Sequence, residues 1–358
     1  MAASDGETGV MDIADVRQAI AWQAEHSTRA DAPCTGRVIR AELAILETDT
    51  GLARRMENWA GLTLRDAMPL RVAGGLHHLL LTGEDRRLEP VYAGLLTDQQ
   101  AIDEVVADMA IRYDARLIPW LDSPPQTNEA GRSASIMAGL LWLSGRLGQK
   151  FEMNEIGASA GVNTMMDRYF YDLGGVQVGP AQTPMRIVPE WRGPPPPAAP
   201  VEIVAIRGSD IAPVDLSDPE QAMRLKAYVW PDAVERMDRI DAAIALAAES
   251  PPDLAAMDAA LFVGQMLARR QESGVTRALY HSVMWQYLPP ATQQRITQAM
   301  EAAGASAAPD KPLAWIRVET NRATFRHELR VRYWPGGEEW VQLGEAHPHG
   351  AWVEWYNI

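Results

Sequence analysis

Glu155, Gly157, Ser159 and Gly161 have the residue types and the spacing in this chain that best suit chemistry. They lie in FEMNEIGASAGVNTMMD at residues 151–167, where a short alternating run leads into a turn of small residues and then a helical pattern. Small residues let the backbone approach a ligand closely, and the free N–H groups at a helix N-terminus supply hydrogen-bond donors. The pattern therefore predicts a ligand-binding turn between a strand and a helix.

Two chemistries fit this turn. An acidic residue two positions before the first glycine is typical of S-adenosylmethionine-binding sheets, where Glu155 would orient the loop and interact with the amino-acid portion of the cofactor. The sulfonium of that cofactor is a cation, which carboxylates and aromatic rings favour. The alternative is a serine hydrolase, because the same residues match the G-x-S-x-G nucleophile elbow with Ser159 as nucleophile. We favour the methyltransferase chemistry, because no HGGG-like oxyanion segment and no series of strands precedes the turn.

The elements around the turn differ between the two halves of the chain. Residues 11–150 carry apolar residues at three- and four-residue spacing between Gly and Asp punctuation, which predicts helices. After the turn, strand patterns alternate with helical ones, and two alternating runs meet at Gly336-Gly337 in a predicted antiparallel hairpin. The predicted strands after the turn are PVEIVAIRGSD, PPDLAAMD, TRALYHSV and PLAWIRVE. This alternation predicts an α/β fold with a mostly parallel, Rossmann-like sheet.

We accordingly predict two domains. Residues 1–148 form an all-helical N-terminal lid or cap, and residues 149–358 form the Rossmann-like domain. The glycine- and proline-rich segment at about 171–200 is predicted to be an insertion in the second domain.

Composition limits the function. The net charge of −14 argues against general binding to nucleic acid. A single cysteine, Cys34, cannot form an internal disulfide and favours a reducing, cytoplasmic location. The N-terminus has no signal-peptide pattern, and the longest apolar stretch, Ile136–Leu143, is far short of the roughly 20 residues that a membrane span requires. We therefore expect a cytoplasmic protein that acts on a small molecule and binds neither nucleic acid nor membrane, with an oligomeric state that the sequence leaves open.

Further candidate residues come from the ends of the other predicted strands and from one polar segment. Asp210 or Asp215 after the second strand is the candidate near a ribose, and the sequence does not choose between them. His281, at the end of the fourth strand, is the candidate general base, with Tyr287 nearby. His347 and His349 flank a proline, but two ligands are too few to predict a metal site. The predicted cofactor-binding residues are Glu155, Gly157, Ser159, Gly161, Asn163, Asp210, Asp215 and Asp258, and the predicted substrate-binding residues are Gln126, Asn128, Glu129, Arg132 and His349.

Several motifs together resemble a known family. They are QTNEAGR, EIGASAGVN, RGSDIAPVD, AYVWPD, LYHSVMWQYLP and AHPHGAW. The chain is similar over nearly its whole length to the uncharacterised bacterial domain-of-unknown-function 2332 family, which has no established reaction. Its sheet portion also resembles class I S-adenosylmethionine-dependent methyltransferases. That second resemblance implies a seven-stranded sheet of methyltransferase type, S-adenosylmethionine as cofactor, and an acidic residue, Asp258, after the third strand.

One departure from the methyltransferase pattern keeps a third alternative. His281 and Ser282 end the fourth strand, where many amino-methylating enzymes have an Asn/Asp-Pro-Pro-aromatic motif. The absence of that motif fits a non-catalytic protein that keeps the fold and binds a nucleotide-like ligand or nothing. The function expected from the sequence is thus a methyltransferase, with a serine hydrolase and a non-catalytic binding protein as alternatives.

Overall fold

The computed structural model describes residues 15–60 and 66–356. The chain divides into two compact units, one of Met1–Thr127 with Met223–Met237 and the other of Asn128–Ala222 with Asp238–Ile358. Residues 128–147, which the sequence pattern assigns to the helical domain, thus belong to the second unit.

The first unit is helical in all its described regular elements. Side chains of Asp15, Thr50 and Asp98 accept hydrogen bonds from backbone N–H groups in the first turns of three helices, which satisfies donors that a helix leaves unpaired. Apolar residues of these helices pack into one core. The helices are α1 (Val16–Arg29), α2 (Pro33–Ile45), α3 (Gly51–Glu57), α4 (Met68–Leu81), α5 (Glu89–Tyr92), α6 (Gln99–Arg112) and α7 (Asp114–Leu117), followed by a 3-10 helix at Ile118–Asp122.

The second unit contains a nine-stranded sheet and a three-stranded sheet, in the orders given below. The strands of the described chain are β1 (Lys150–Ile156), β2 (Phe170–Leu173), β3 (Val176–Val178), β4 (Arg186–Ile187), β5 (Glu190–Arg192), β6 (Glu202–Asp210), β7 (Leu254–Ala256), β8 (Thr276–Ser282), β9 (Leu313–Thr320), β10 (His327–Trp334), β11 (Gly337–Ala346) and β12 (Trp352–Trp355). The later helices are α8 (Ser133–Leu147), α9 (Pro219–Ala227), α10 (Val234–Glu249), α11 (Ala259–Ala268) and α12 (Pro290–Gly304), with 3-10 helices at Ala130–Arg132, Val162–Arg168 and Trp285–Tyr287.

The large sheet has the order β5-β12-β11-β10-β9-β8-β1-β6-β7. Strands β7, β6, β1, β8 and β9 are parallel to one another, β10 is antiparallel to β9, and β10 and β11 form the predicted antiparallel hairpin. The prediction of an α/β fold with a mostly parallel sheet and a C-terminal antiparallel hairpin is therefore confirmed.

The predicted count of seven strands is not confirmed, because the sheet contains nine strands among the described residues. The additional strands are β12, from the C-terminal segment, and β5, from the predicted insertion, which pairs in parallel with β12. Residues 190–192 and 352–355 are too short to show an alternating pattern, and their pairing joins segments far apart in sequence. The remaining strands of the insertion form the small sheet β3-β2-β4.

The two faces of the large sheet pack against different helices. Gly139 of α8 lies against Ile316, Leu329 and Val331 on one face. Apolar residues of α11 and α12 form a core with Leu279 and Trp315 on the other. Successive residues of a strand point to opposite faces, so Ile316 packs against α8 and its neighbour Trp315 packs against the helices of the other face. We call these the α8 face and the α12 face.

Candidate functional site

The chain passes from one side of β1 to the other at a single point of the parallel sheet. After β1 it forms β6 and β7 on one side, and it then returns to form β8 and β9 on the other. Ligands of open α/β sheets bind outside the carboxyl ends of the strands at such a switch point. The carboxyl ends of β1 and β8, with Glu155 and His281, define it here.

The turn after β1 has the backbone geometry that its small residues predict. The φ angles of Gly157, Ser159 and Gly161 are +67°, +53° and +72°. Glycine adopts this left-handed region without a steric penalty, whereas serine adopts it at a cost. The segment that follows is the 3-10 helix Val162–Arg168 and not an α-helix.

Other parts of the chain occupy several backbone donors of the turn. The Ser159 N–H donates to Oδ2 of Asp210 at 2.9 Å, and the Val162 N–H donates to Oδ1 of Asn128 at 2.7 Å. The N–H groups of Ala158 and Gly161 donate to the carbonyls of Ser209 and Ala158 at 2.9 and 2.8 Å. These N–H groups point at protein acceptors, as the accounting of buried backbone groups requires.

Met284 covers the first glycine of the turn. A Cβ added at Gly157 would lie 2.7 Å from Cε and 2.8 Å from Cβ of Met284, closer than real Cβ contacts. Glycine is therefore required here by a close approach of the chain's own side chain as well as by its φ angle.

Glu155 is buried on the α8 face, with 2% of its surface exposed. The hydroxyl of Tyr280 lies 3.3 Å from Oε2 of Glu155 and 3.2 Å from the carbonyl oxygen of Asn163, so both oxygens lie within reach of its single O–H donor. Burial raises the pKa of the Glu155 carboxyl well above its ordinary value, despite opposing contributions from Tyr280 and Arg132. Through Tyr280, Glu155 is connected to the segment that follows the turn.

His281 points to the other face of the sheet. Glu155 is paired in register with Tyr280, so Tyr280 shares the face of Glu155 and the next residue, His281, faces the α12 side. The predicted acid of the cofactor loop and the predicted base are thus separated by the sheet.

His281 forms a pair with Glu319, which the sequence analysis did not single out. Nδ1 of the fully buried His281 lies 2.7 Å from Oε1 of Glu319, which also accepts the N–H groups of Met284 and Trp285. The ring of Trp285 stacks on His281 at 5.0 Å, and Nε2 of His281 has no hydrogen-bond partner within the described chain. A glutamate at the end of the predicted fifth strand, beside a histidine at the end of the fourth, was the available signal.

Tyr287 does not join this pair. It ends the 3-10 helix Trp285–Tyr287 and is 62% exposed, whereas His281 is completely buried. The two predicted catalytic residues therefore lie in different environments.

The two acidic candidates after β6 are clearly distinguished. Asp210 accepts hydrogen bonds from Ser159 and Ala212 beside the turn. Asp215 is exposed, and Oδ1 accepts from the N–H and hydroxyl groups of Ser217 in a local turn. Asp258 caps α11 through Oδ1, which accepts the N–H groups of the second and third helical residues. Of the two candidates, Asp210 contacts the glycine turn.

The polar segment before α8 meets the C-terminal segment. Nε of Arg132 donates to the carbonyl oxygen of Pro348 at 2.7 Å, and Nδ1 of His349 lies 3.4 Å from Oε1 of Glu129. Asn128 binds the turn, as described above. The structure thus brings four of the predicted substrate-binding residues together in the second unit, while Gln126 belongs to the first unit.

Ser159 lacks the partner that a nucleophile requires. Its Oγ is buried and forms no hydrogen bond to any described residue. An activated serine needs a base within hydrogen-bond reach, so this arrangement gives the elbow motif no catalytic base.

Two wider observations concern the described residues only. No group of three or more His, Cys, Asp or Glu side chains among them could hold a metal ion. None of the helices in 15–60 and 66–356 has the length and apolar character needed to cross a membrane.

Comparison with known proteins supports the first of the two sequence resemblances. No curated protein sequence and no solved structure matches the chain significantly. A family described as "Uncharacterized protein conserved in bacteria (DUF2332)" matches residues 17–355. Because this match covers nearly the whole chain, the protein belongs to that bacterial family.

Proposed function

We propose that the chain is an S-adenosylmethionine-dependent methyltransferase that acts on a small-molecule acceptor in the cytoplasm. The observation that carries the proposal is the strand order. Numbered along the chain, the parallel strands β7-β6-β1-β8-β9 read 3-2-1-4-5, a doubly wound order with its ligand crevice at β1 and β8. The antiparallel hairpin of β10 and β11 follows β9 in the same sheet.

The acidic residues at this edge fit the ribose and adenine of such a cofactor. Each carboxylate oxygen accepts up to two hydrogen bonds. Asp210, which accepts one N–H group on each oxygen, therefore keeps acceptor capacity for hydroxyl groups. Oδ2 of Asp258 takes part in no hydrogen bond within the described residues. We assign Asp210 to the ribose and Asp258 to the adenine side.

The chain's own residues would position the acceptor and handle its proton. When bound, the cofactor supplies an electrophilic methyl group. Glu319 holds the proton of His281 on Nδ1, which leaves Nε2 as the acceptor nitrogen. We assign His281 as the general base and Glu319 as the residue that fixes its tautomer. Since His281 and Glu155 lie on opposite faces, this assignment places the acceptor toward the α12 face of the edge.

A second candidate is a non-catalytic protein that keeps the fold. Specific observations favour it: protein acceptors occupy the N–H groups of Ser159 and Val162, and Met284 covers Gly157. The 3-10 helix after the turn should also bind an anion less strongly than a regular α-helix would, because the aligned peptide dipoles of an α-helix sum along its length.

Isothermal titration with S-adenosylhomocysteine tests the proposal. We expect binding to the wild-type protein and, in Asp210→Asn, a loss of about tenfold or more, because a charged acceptor contributes about 1.5–3 kcal/mol. Asp215→Asn is the matched control, since it makes the same change at an exposed position, and its affinity should stay unchanged. No heat at millimolar ligand, with the protein folded by circular dichroism, would favour the second candidate.

The hydrolase alternative has a separate test. A fluorophosphonate probe labels an activated serine, and we expect no labelling because Ser159 lacks a base. Labelling that disappears in Ser159→Ala would replace the methyltransferase proposal with the hydrolase.

A further inference from the structure

A cavity of about 390 Å³ lies on the α12 face of the large sheet, and no residue of the glycine turn lines it. It is bounded by β9, β10 and β11, by α12, and by the 3-10 helix Trp285–Tyr287. Its volume is within the range of pockets that bind small molecules.

Three tryptophans form an aromatic wall of this cavity. The rings of Trp315 and Trp340 are 5.1 Å apart at 61°, and those of Trp285 and Trp315 are 5.6 Å apart at 63°. Each pair is in the edge-to-face arrangement that aromatic rings prefer. Trp285 and Trp340 are only half-buried, so parts of their rings are accessible to a planar ligand. Nε1 of Trp315 is a buried donor without a hydrogen-bond partner in the described chain.

Arg317 adds a cation that forms no ion pair with any described carboxylate. Its guanidinium lies 4.0 Å from the centre of the Trp340 ring, and its side chain forms no hydrogen bond or ion pair within residues 15–60 and 66–356. The group is half-buried, and burial together with the neighbouring Arg330 lowers its pKa from the ordinary value, against opposing contributions from Glu319 and Glu328. Five donors in a fixed planar fork are thus available for a carboxylate.

The carboxylates nearest in the sheet bind other groups. Glu319 holds His281 and two backbone N–H groups. Glu328 lies 2.7 Å from Arg330 and accepts a hydrogen bond from Asn321 at 2.7 Å. Because both glutamates already bind other groups, Arg317 forms no ion pair with either of them, although Glu319 and Glu328 are paired in register on the same face of the sheet.

The other cavity arginine shows the contrast. Arg332 forms an ion pair with Glu301 at 2.8 Å and donates to the backbone carbonyl of Glu338. An anion that enters the cavity therefore meets Arg332, which is already in an ion pair, and Arg317, which forms no ion pair among the described residues and is the stronger attraction.

We propose that this cavity binds a small aromatic carboxylate, whose ring contacts the tryptophans and whose carboxylate binds Arg317. The chemistry is that of a flat apolar ring, which Trp285 and Trp340 can stack against, joined to an anion that fits a guanidinium fork. The cavity uses none of the residues at the glycine turn, but it adjoins the proposed general base, because the rings of Trp285 and Trp315 lie 5.0 and 6.1 Å from that of His281.

The test is calorimetric titration of the full chain with cinnamate. Its neutral amide, cinnamamide, measures the contribution of the charge, and inorganic phosphate measures that of an anion without a ring. We expect cinnamate to bind more tightly than either, and Arg317→Gln to weaken its binding by about tenfold or more through loss of the charged pair. Trp340→Phe should weaken binding less, because the shorter aromatic ring keeps part of the contact.

Arg295→Gln is the matched control, because this substitution removes the same charge. Arg295 is exposed on α12 and does not line the cavity. Its affinity for cinnamate should equal that of the wild type. Equal binding of cinnamate and cinnamamide, equal affinity in Arg317→Gln, or no binding of cinnamate at millimolar concentration would each overturn the proposal. Phosphate that binds as tightly as cinnamate would overturn it as well, since the ring would then contribute nothing. Thermal unfolding of each variant shows that it is folded.

Discussion

The glycine turn and the tryptophan cavity lie in the same unit, but backbone donors of the turn are occupied, whereas, among the described residues, two side-chain donor groups of the cavity are not. At the turn, Asp210 and Asn128 take backbone N–H groups that the motif would offer to a ligand. In the cavity, Arg317 and Nε1 of Trp315 remain without hydrogen-bond partners in the described chain. A sequence motif thus identifies where the backbone bends, whereas the partners of its hydrogen-bond donors decide whether a ligand can bind them.

The greatest loss of stability is predicted for a substitution that tests how tightly the turn is packed. Gly157→Ala adds a Cβ at positive φ against Met284, whereas Gly274→Ala adds one at φ +77° with nothing within 4 Å. We expect Gly157→Ala to cost roughly 3 kcal/mol, from strain and overpacking together, and Gly274→Ala roughly 1 kcal/mol from strain alone. Chemical denaturation measures both. Equal losses would show that Met284 moves aside easily and that the turn is open.

The second prediction concerns the charge state of Glu155. The folded-state pKa is raised above that of the unfolded chain, so between these two values the folded protein binds more protons and stability falls as pH rises. Glu155→Gln removes this loss while keeping a polar group beside Tyr280. As pH rises, the unfolding free energy of Glu155→Gln should therefore increase relative to that of the wild type by about 1.4 kcal/mol per pH unit, as long as Glu155 stays protonated in the folded wild type.

Urea denaturation of both proteins from about pH 5.5 to about pH 7.5 measures this change with pH. The range lies above the pKa of about 4.3 that a glutamate has in an unfolded chain. A difference that is constant with pH would mean that Glu155 is ionised in the folded protein. It would then be available as the acid that the sequence pattern predicts.

The sequence predicted the parallel strands because each is a short apolar run bounded by turn residues. Predicted strands end at Asp210 and at His281, and β6 and β8 end at or beside these residues. The positions of candidate side chains at strand ends were therefore accessible from local pattern. The strand count was not, because the pairing of Val353 with Trp191 joins two short segments far apart in the chain.

The arrangement of the site depends on register and on long-range contacts that no local pattern contains. Only the pairing of Glu155 with Tyr280 shows that His281 faces the other side of the sheet. The occupation of the Val162 N–H by Asn128 likewise depends on a contact between residues 34 positions apart. The unpaired state of Arg317 depends on what Glu319 and Glu328 bind, which the sequence does not reveal.

A smaller effect tests the occupied donors of the turn directly. Asn128→Ala leaves the N–H group of the buried Val162 without an acceptor, and we expect a loss of about 1–2 kcal/mol in stability. Asn128→Asp keeps an acceptor oxygen and should stay near wild type. If Asn128→Ala costs nothing and tightens binding of S-adenosylhomocysteine, the donor is available to a ligand and the contrast with the cavity fails.

The smallest change in stability is expected for a substitution in the cavity, measured without any ligand. Arg317→Gln removes no ion pair or hydrogen bond within the described chain, and the lost contact with Trp340 is offset by relief of a half-buried charge. We expect the unfolding free energy to change by about 0.5 kcal/mol or less. Arg277→Gln is the comparison, because Arg277 is 3% exposed and pairs with Glu152 at 3.0 Å, so its loss leaves a largely buried carboxylate with one partner fewer. If Arg317→Gln is as costly as Arg277→Gln, then Arg317 stabilises the fold, and an uncompensated cation held for a ligand is the wrong description of it.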